Sequence, residues 1–324
     1  MRTRKNFGAA LFAALLSVPI SSALGQSYPS KPIRVVAIQA AGSGVDAIVR
    51  NLAAILSTSM GQPVLVENIA GAGGLIGSQT VVRAPADGYT LGAVSSQYTI
   101  FPHLYANIGF DPDKDITPIA VVCSLAMVLV ARPSFPANTA GELAELAKRA
   151  PLKYTLASGG VGSAQHLGGE HLQQLGKFKL THIPYKGAGP AVPDLISGNV
   201  DVGFLAVPTA ASLLQSGRLK ALGVSTGRVL EALPQVPPVG NSIPGFDVDS
   251  WVALIAPAKF PPALAERLAS EVEAAIRSES FQAFIKQQGA APMTAMTTEE
   301  LRRYFAEESR KNAELVKASG AKLQ

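Results

Sequence analysis

Two segments of the chain follow one plan, and that plan limits the fold more than any other feature. Residues 35–53 read VVAIQAAGSGVDAIVRNLA and residues 154–172 read YTLASGGVGSAQHLGGEHL. Each passes from a strand-forming run, through a loop of small residues, into a helix. A strand that feeds a helix meets its next strand in parallel, through a right-handed crossover. Glycine lets the backbone of such a loop approach a ligand closely, and a helix start offers unpaired N–H groups at the positive end of its dipole. Either loop alone is also an ordinary turn whose glycines save space. Two of them, one per α/β unit, suit a ligand with an anionic group at each end.

The rest of the chain repeats the alternation. Residues 33–38 form a continuous β-branched run, as for a strand buried on both faces. Val45, Ile48, Val49, Leu52, Ile55 and Leu56 share one helical face, and Gly61 with Pro63 ends that helix. Further strands are expected at 64–67, 89–94, 154–158, 180–183, 200–204, 219–224 and 250–256. Helices are expected at 75–83, 139–149, 164–175, 262–277 and 298–317. Thr139 with Glu142 and Thr297 with Glu300 read as capping boxes. The apolar run 116–131 is too long for one ordinary strand and reads as a passage from one domain to another. Residues 250–256 read as the return crossing.

At 324 residues with 48% hydrophobic and 16% charged side chains, the chain can bury a sizeable core. Its start, MRTRKNFGAALFAALLSVPISSALGQ, has a basic head, a short apolar run, Pro19 and the small-x-small pattern Ala23-Leu24-Gly25. This reads as a secretory signal over residues 1–25, cleaved before Gln26, and places the mature protein in the periplasm. The apolar run falls short of the ~18 residues of a membrane span. Without the signal, 25 basic and 23 acidic residues remain, with no dense basic cluster, so a nucleic-acid partner is excluded. A single cysteine, Cys123, rules out an internal disulfide framework and a multi-cysteine metal site, and it reads as a buried core residue.

Gly42-Ser43-Gly44-Val45-Asp46-Ala47 satisfies a relaxed dinucleotide-binding pattern, with Glu67 at the spacing of a ribose acid. Export argues against that oxidoreductase reading, since exported compartments do not normally supply free nicotinamide cofactor. His166 and His171 are five apart, which is the wrong spacing for a metal pair on one helix face. No G-x-S-x-G elbow or phosphate-binding GxxxxGK[ST] loop occurs. No catalytic residue, metal or cofactor is therefore expected. Asp46 reads as a residue that complements the helix dipole or contacts ligand. Tyr185 and Lys186 read as a solvated loop or as a phenol and a cation facing the ligand.

The segments YPSKPIRVV, GQPVLVENIAGAGGLIG, ADGYTL, HIPYKGAGPAVPDLISGNVD, LKALGVST, LPQVPPV and PGFDVDSWVALIAP, with the first glycine loop and Asp46, carry a resemblance over essentially the whole mature chain. In this combination and order the chain resembles the Bug family, the extracytoplasmic solute receptors of tripartite tricarboxylate transporters. The resemblance implies a type II periplasmic binding protein fold, with two α/β lobes joined by two crossing segments. The expected lobes are 26–124 with 225–324, and 125–224. It also implies a monomer without catalysis that binds a small carboxylate and delivers it to the transporter's membrane permease subunits. A receptor that presents the solute to a signalling partner has the same fold and stays open.

The ligand-binding residues expected on this basis are Gln39, Ala40, Ala41, Gly42, Ser43, Gly44, Val45, Asp46, Ser95, Ser158, Gly159, Gly162, Ser163, Tyr185, Lys186 and Ala206, with Ser163 open to the cleft. The first loop departs from the family's Pro-Phe-Pro-Ala-Gly-Gly type, which makes Gln39 and Ser43 candidate specificity positions. After Phe204, where the family often carries a polar pair, this chain has Leu205-Ala206-Val207-Pro208. That favours an apolar ligand body, in an aliphatic or aromatic acid of the tricarballylate or terephthalate kind.

Overall fold

The protein was analysed as a computed structural model, which describes residues 28–185 and 187–320. The expected signal segment and Lys186 lie outside the described residues. The first half of the chain runs β1 (Ile33–Ala37), α1 (Gly44–Met60), β2 (Val64–Asn68), α2 (Leu75–Val82), β3 (Thr90–Ser95), α3 (Phe101–Leu104), β4 (Ile116–Leu125), β5 (Met127–Ala131), α4 (Ala140–Arg149) and β6 (Thr155–Ser158). It continues with α5 (Ala164–Gly176), β7 (Thr181–Pro184), α6 (Ala191–Ser197), β8 (Val202–Ala206), α7 (Val207–Gln215) and β9 (Lys220–Val224). The chain closes with β10 (Ser250–Pro257), α8 (Pro262–Arg277), α9 (Glu279–Gln287), β11 (Ala290–Pro292) and α10 (Thr298–Ser319).

The strands form two sheets, ordered β11-β4-β10-β3-β1-β2 and β7-β6-β8-β5-β9. In the first, β1 pairs in parallel with β2 and β3, as the helical crossovers require. In the second, β6 pairs in parallel with β7 and β8. The run 116–131 divides at Ala126, with β4 in one sheet and β5 in the other. The chain returns from β9 to β10 through residues 225–249.

Register fixes which ends of the sheets meet. Val252 in β10 lies opposite both Ser95, the last residue of β3, and Cys123, near the end of β4. Met127, the first residue of β5, lies opposite Ala206, the last residue of β8. Both crossings therefore leave from the edges where the parallel strands end. In open α/β sheets, ligands bind outside those carboxyl ends.

Each sheet is covered by helices. The apolar face of α1, with Val45, Ile48, Val49, Leu52 and Leu56, packs with β1, β3 and α8 around one core, which also holds fully buried Cys123. Burial pushes that thiol up to about 12, which keeps it protonated and unreactive. Trp251 is buried against Phe305 and Tyr304 of α10, and its ring N–H donates to Glu308 at 3.1 Å.

Three local expectations need correction. The α4 box is one-sided: Thr139 accepts from the Glu142 N–H, but the Glu142 carboxylate accepts from the Asn138 N–H, one residue earlier. The Thr297–Glu300 box is complete. The strand expected at 200–204 is β8 at Val202–Ala206, because Asp201 is spent on Arg132 and Thr155 while Leu205 and Ala206 pair with β5. Finally, α9 and β11 follow α8 where sequence reasoning placed no element; Ser278, which caps α9, ends one helix and starts the next.

Candidate functional site

The two glycine loops share more than composition. Ser43 stands at the N-cap of α1 in extended conformation, and its hydroxyl accepts from the Asp46 N–H at 3.2 Å. Asp46 in turn accepts from the Gly42 N–H at 2.9 Å. In the second loop, Ser163 caps α5 and accepts from the His166 N–H at 3.2 Å, while His166 Nδ1 accepts from the Gly162 N–H at 3.1 Å. Gly42 and Gly162 have φ of 79° and 77°, a region in which a side chain would be strained. In both loops, the residue at the third helical position reaches back past the cap to the glycine before it.

This arrangement decides which donors remain. The N–H groups of Gly42, Asp46, Gly162 and His166 are used internally. Those of Gly44 and Val45, and of Ala164 and Gln165, open the first turns of α1 and α5 and have no partner within their helices. The Ser43 and Ser163 hydroxyls accept from the backbone and keep their own protons to donate. Each helix start thus presents two N–H groups and one hydroxyl, at the positive end of a dipole, to an anion.

Asp46 is a support of the first loop. Besides Gly42, it accepts from Arg50 Nε at 3.0 Å and Asn68 Nδ2 at 2.8 Å. Burial pushes its pKa up, but the bonds from Asn68, Gly42 and Arg50 outweigh that and hold it below the ordinary carboxylate value. Asn68 also donates to the Gln39 carbonyl, so the end of β2 fixes the loop from below. The Gln39 amide donates to Ser95 Oγ and Gln97 Oε1, both at 3.0 Å. Ala40, Ala41 and Gly42 are exposed, Gln39, Ser43 and Gly44 half-buried, and Val45, Asp46 and Ser95 buried. The ribose acid of the dinucleotide pattern is absent in function: Glu67 is held by Arg34 at the surface.

In the second loop, Ser158 ends β6 and is buried. Its Oγ lies 3.1 Å from the Gly160 N–H, 3.2 Å from the Gly160 carbonyl and 2.6 Å from His182 Nε2. The His182 ring stacks on His166 at a centroid distance of 4.0 Å. Burial lowers both imidazoles below the ordinary value; for His166 the charge of His182 adds to burial and takes it down to about 4. Ser163 is only 5% exposed, against the expectation of an open residue, because capping α5 draws its side chain in. Gly159 takes the backbone of the next loop against it, with its carbonyl accepting from Gly187 N–H at 3.2 Å. The Tyr185 phenol donates to Asp194 at 2.6 Å, and burial with that bond pushes it up to about 12, so the phenol is committed to α6. Ala206 sits half-buried at the crossing.

The two loops meet through the end of β3 and the segment after it. This stretch carries Ser95 and Gln97 against Gln39, then Leu104 against the second loop. A Cβ on Gly162 would come within 2.2 Å of Leu104 Cδ2. Ile100 and Leu104 pack with Leu167 of α5 and Val316 of α10. Sequence reasoning missed Asn68, Gln97 and His182 as parts of the site. Each acts through a contact distant in sequence, although Asn68 and His182 both stood in segments that carried the resemblance, GQPVLVENIAGAGGLIG and HIPYKGAGPAVPDLISGNVD.

Residues 48–321 match the family model of the tripartite tricarboxylate transporter family receptor. The chain belongs to that family. Protein BugT of Bordetella pertussis is 32% identical over 320 residues, covering 98% of this chain and 97% of that one. Among solved structures, the periplasmic binding protein BugD is 34% identical with a TM-score of 0.82, over 92% of this chain and all of that one. R. palustris Rpa4515 with adipate is 27% identical with a TM-score of 0.84, over 91% of this chain and all of that one. MatC from Rhodopseudomonas palustris with bound malate is 28% identical with a TM-score of 0.78, over 89% and 100%. The two-lobed periplasmic binding protein fold is thereby shared, and the chain is a solute-binding receptor of the Bug type, not an enzyme.

Proposed function

We propose that the receptor captures a small dicarboxylate, one carboxylate on each glycine loop, and passes it to the permease subunits of a tripartite tricarboxylate-type transporter. The observation that carries this is the matched pair of Ser-capped helix starts at the facing strand ends of the two sheets. We place the lobes at 26–124 with 225–324, and 125–224, on the division of strands between the sheets, although Leu230, Leu233, Val239 and Phe246 of the connection after β9 pack with the second sheet. The receptor acts as a monomer in the periplasm after cleavage before Gln26. No described helix is long and apolar enough to cross a membrane.

The body of the ligand is apolar. Leu205-Ala206-Val207-Pro208 brings no acid or amide to the end of β8, so an ammonium group would find little support there. Adipate and malate, in the related structures, differ in this respect, and the apolar segment favours the unsubstituted acid. A thermal-shift screen of aliphatic and aromatic mono-, di- and tricarboxylates tests the reading. Diacids should raise the melting temperature, and an acid carrying an α-amino group should not. A response confined to amino acids or to neutral solutes would contradict it.

A further inference from the structure

We propose that His182 is a positioning residue for carboxylate capture: by donating from Nε2 to the Ser158 oxygen, it leaves the Ser158 proton for a ligand oxygen. The inference rests on the receptor reading above. A serine hydroxyl has one proton and two lone pairs. At Ser158, one lone pair is taken by the Gly160 N–H at 3.1 Å. What remains is set by the imidazole 2.6 Å away. If His182 carries its proton on Nδ1, Ser158 must donate to Nε2 and has nothing left to give. If the proton is on Nε2, Ser158 accepts it and its own proton is free. The protein acceptor for it is then the Gly160 carbonyl, at a long 3.2 Å. A carboxylate oxygen is the stronger acceptor. Bound carboxylate therefore selects the Nε2–H form of His182, and an imidazolium, protonated on both nitrogens, makes that form obligatory.

The stacked partner has the opposite requirement. His166 Nδ1 accepts from the Gly162 N–H, so its proton sits on Nε2, which faces Glu170 Oε1 at 4.0 Å. Protonating His166 would set two donors against each other and release the second loop. Among the described residues, the titratable groups packed on the His182 side are His166 and, beyond it, Glu170, both from α5. His182 lies on β7, the edge strand of its sheet, and is half-buried, so it exchanges protons with solvent. The pair thus divides the work: one ring stays neutral and holds the loop, and the other takes up a proton as ligand binds.

Calorimetry with adipate, malate and terephthalate as probes, in two buffers of different ionisation heat, tests this between about pH 8 and about pH 5.5. For a probe that binds, affinity should rise about fivefold or more as pH falls, with uptake of a fraction of a proton. Ser158→Ala should bind about tenfold more weakly and lose the pH dependence, apart from the titration of the acid itself. His182→Gln, whose amide can donate to Ser158 at any pH, should bind like the wild type at low pH and show no proton uptake. His182→Phe keeps the stacking, removes both the donor and the competing acceptor, and should bind with no proton uptake and no pH dependence beyond that of the acid itself. Melting temperatures check that each variant folds. An unchanged pH slope in Ser158→Ala, His182→Gln or His182→Phe would overturn the role of His182 while leaving the receptor reading intact. Failure of all three acids to bind at any pH would remove the dicarboxylate reading, and this inference with it.

Discussion

Asp249 lies in the return crossing, one residue before β10, and its Oδ1 is buried without a hydrogen-bond partner. Burial raises its pKa to about 6; Ser124 and the Arg228 charge offset part of this, while Asp247 and Glu308 add to it. A carboxyl whose folded pKa exceeds its unfolded value supports the fold while protonated. That support is complete below the unfolded pKa and is lost as pH rises from about 4 to about 6. Asp249→Asn should therefore stabilise the receptor near neutral pH by roughly 1–3 kcal/mol and give no gain near about pH 4. Urea unfolding at the two pH values measures this, and an equal gain at both would contradict it. Asp46 is the opposite case, a buried carboxylate whose partners are all present. Asp46→Ala leaves Gly42, Arg50 and Asn68 without their acceptor and should cost about 3 kcal/mol in the same assay. A loss within about 0.5 kcal/mol would mean that the first loop does not depend on it.

At the scale of elements, the common design of α1 and α5 is the N-cap serine together with a third-position side chain that reaches back to a left-handed glycine. Ser43→Ala and Ser163→Ala should each cost about 1 kcal/mol of stability, as for other N-cap losses, and each should also weaken binding of the carboxylate at its own helix. Stability loss without any effect on ligand affinity would restrict these serines to a capping role. The strand–loop–helix plan was legible because it depends on local pattern: apolar runs, glycines and a Ser before each helix. That the run 116–131 passes from one sheet to the other was legible because it exceeds what one strand can use; the point of division, Ala126, was not. What local pattern did not carry was the partner at each site. Asp46 and His166 occupy the same helical position with different chemistry, yet both accept from a glycine N–H. The Ser158–His182 contact joins residues on adjacent strands, 24 apart in the chain, and the openness expected of Ser163 ignored the cap it makes. The α9–β11 unit was missed because its nine-residue helix follows α8 after a single residue, Ser278.

The whole molecule is tied at more than its two crossings. Ser225 holds the crossings together: its N–H donates to the Met127 carbonyl, and its Oγ accepts from the Met127 N–H. Helix α10 starts among the first sheet's elements and reaches the second lobe, where Val316 packs with Leu167. Along it, Asn312 donates to Thr99 and Ser309 meets His103. Gly289, in the turn before β11, lies so close to Val207 at the start of α7 that a Cβ would come within 2.3 Å of it. We propose that ligand closes the two lobes about a hinge at residues 125–127 and 247–250, with α10 as a strap. Small-angle scattering should show a smaller radius of gyration with saturating diacid, and Gly289→Leu, which props the lobes apart at that rim, should reduce the change. An unchanged radius in the wild type would contradict the hinge.

We propose that the two loops each hold one carboxylate of the same ligand, through short-range N–H and hydroxyl donors. Hydrogen bonds to charged groups contribute roughly 1.5–3 kcal/mol each, and about 1.4 kcal/mol is a factor of ten in affinity. The most direct test is calorimetric titration of the receptor with the tightest diacid from the screen and with its monomethyl ester. The monoester should bind at least about tenfold more weakly. Equal affinity for the two would contradict two-ended capture.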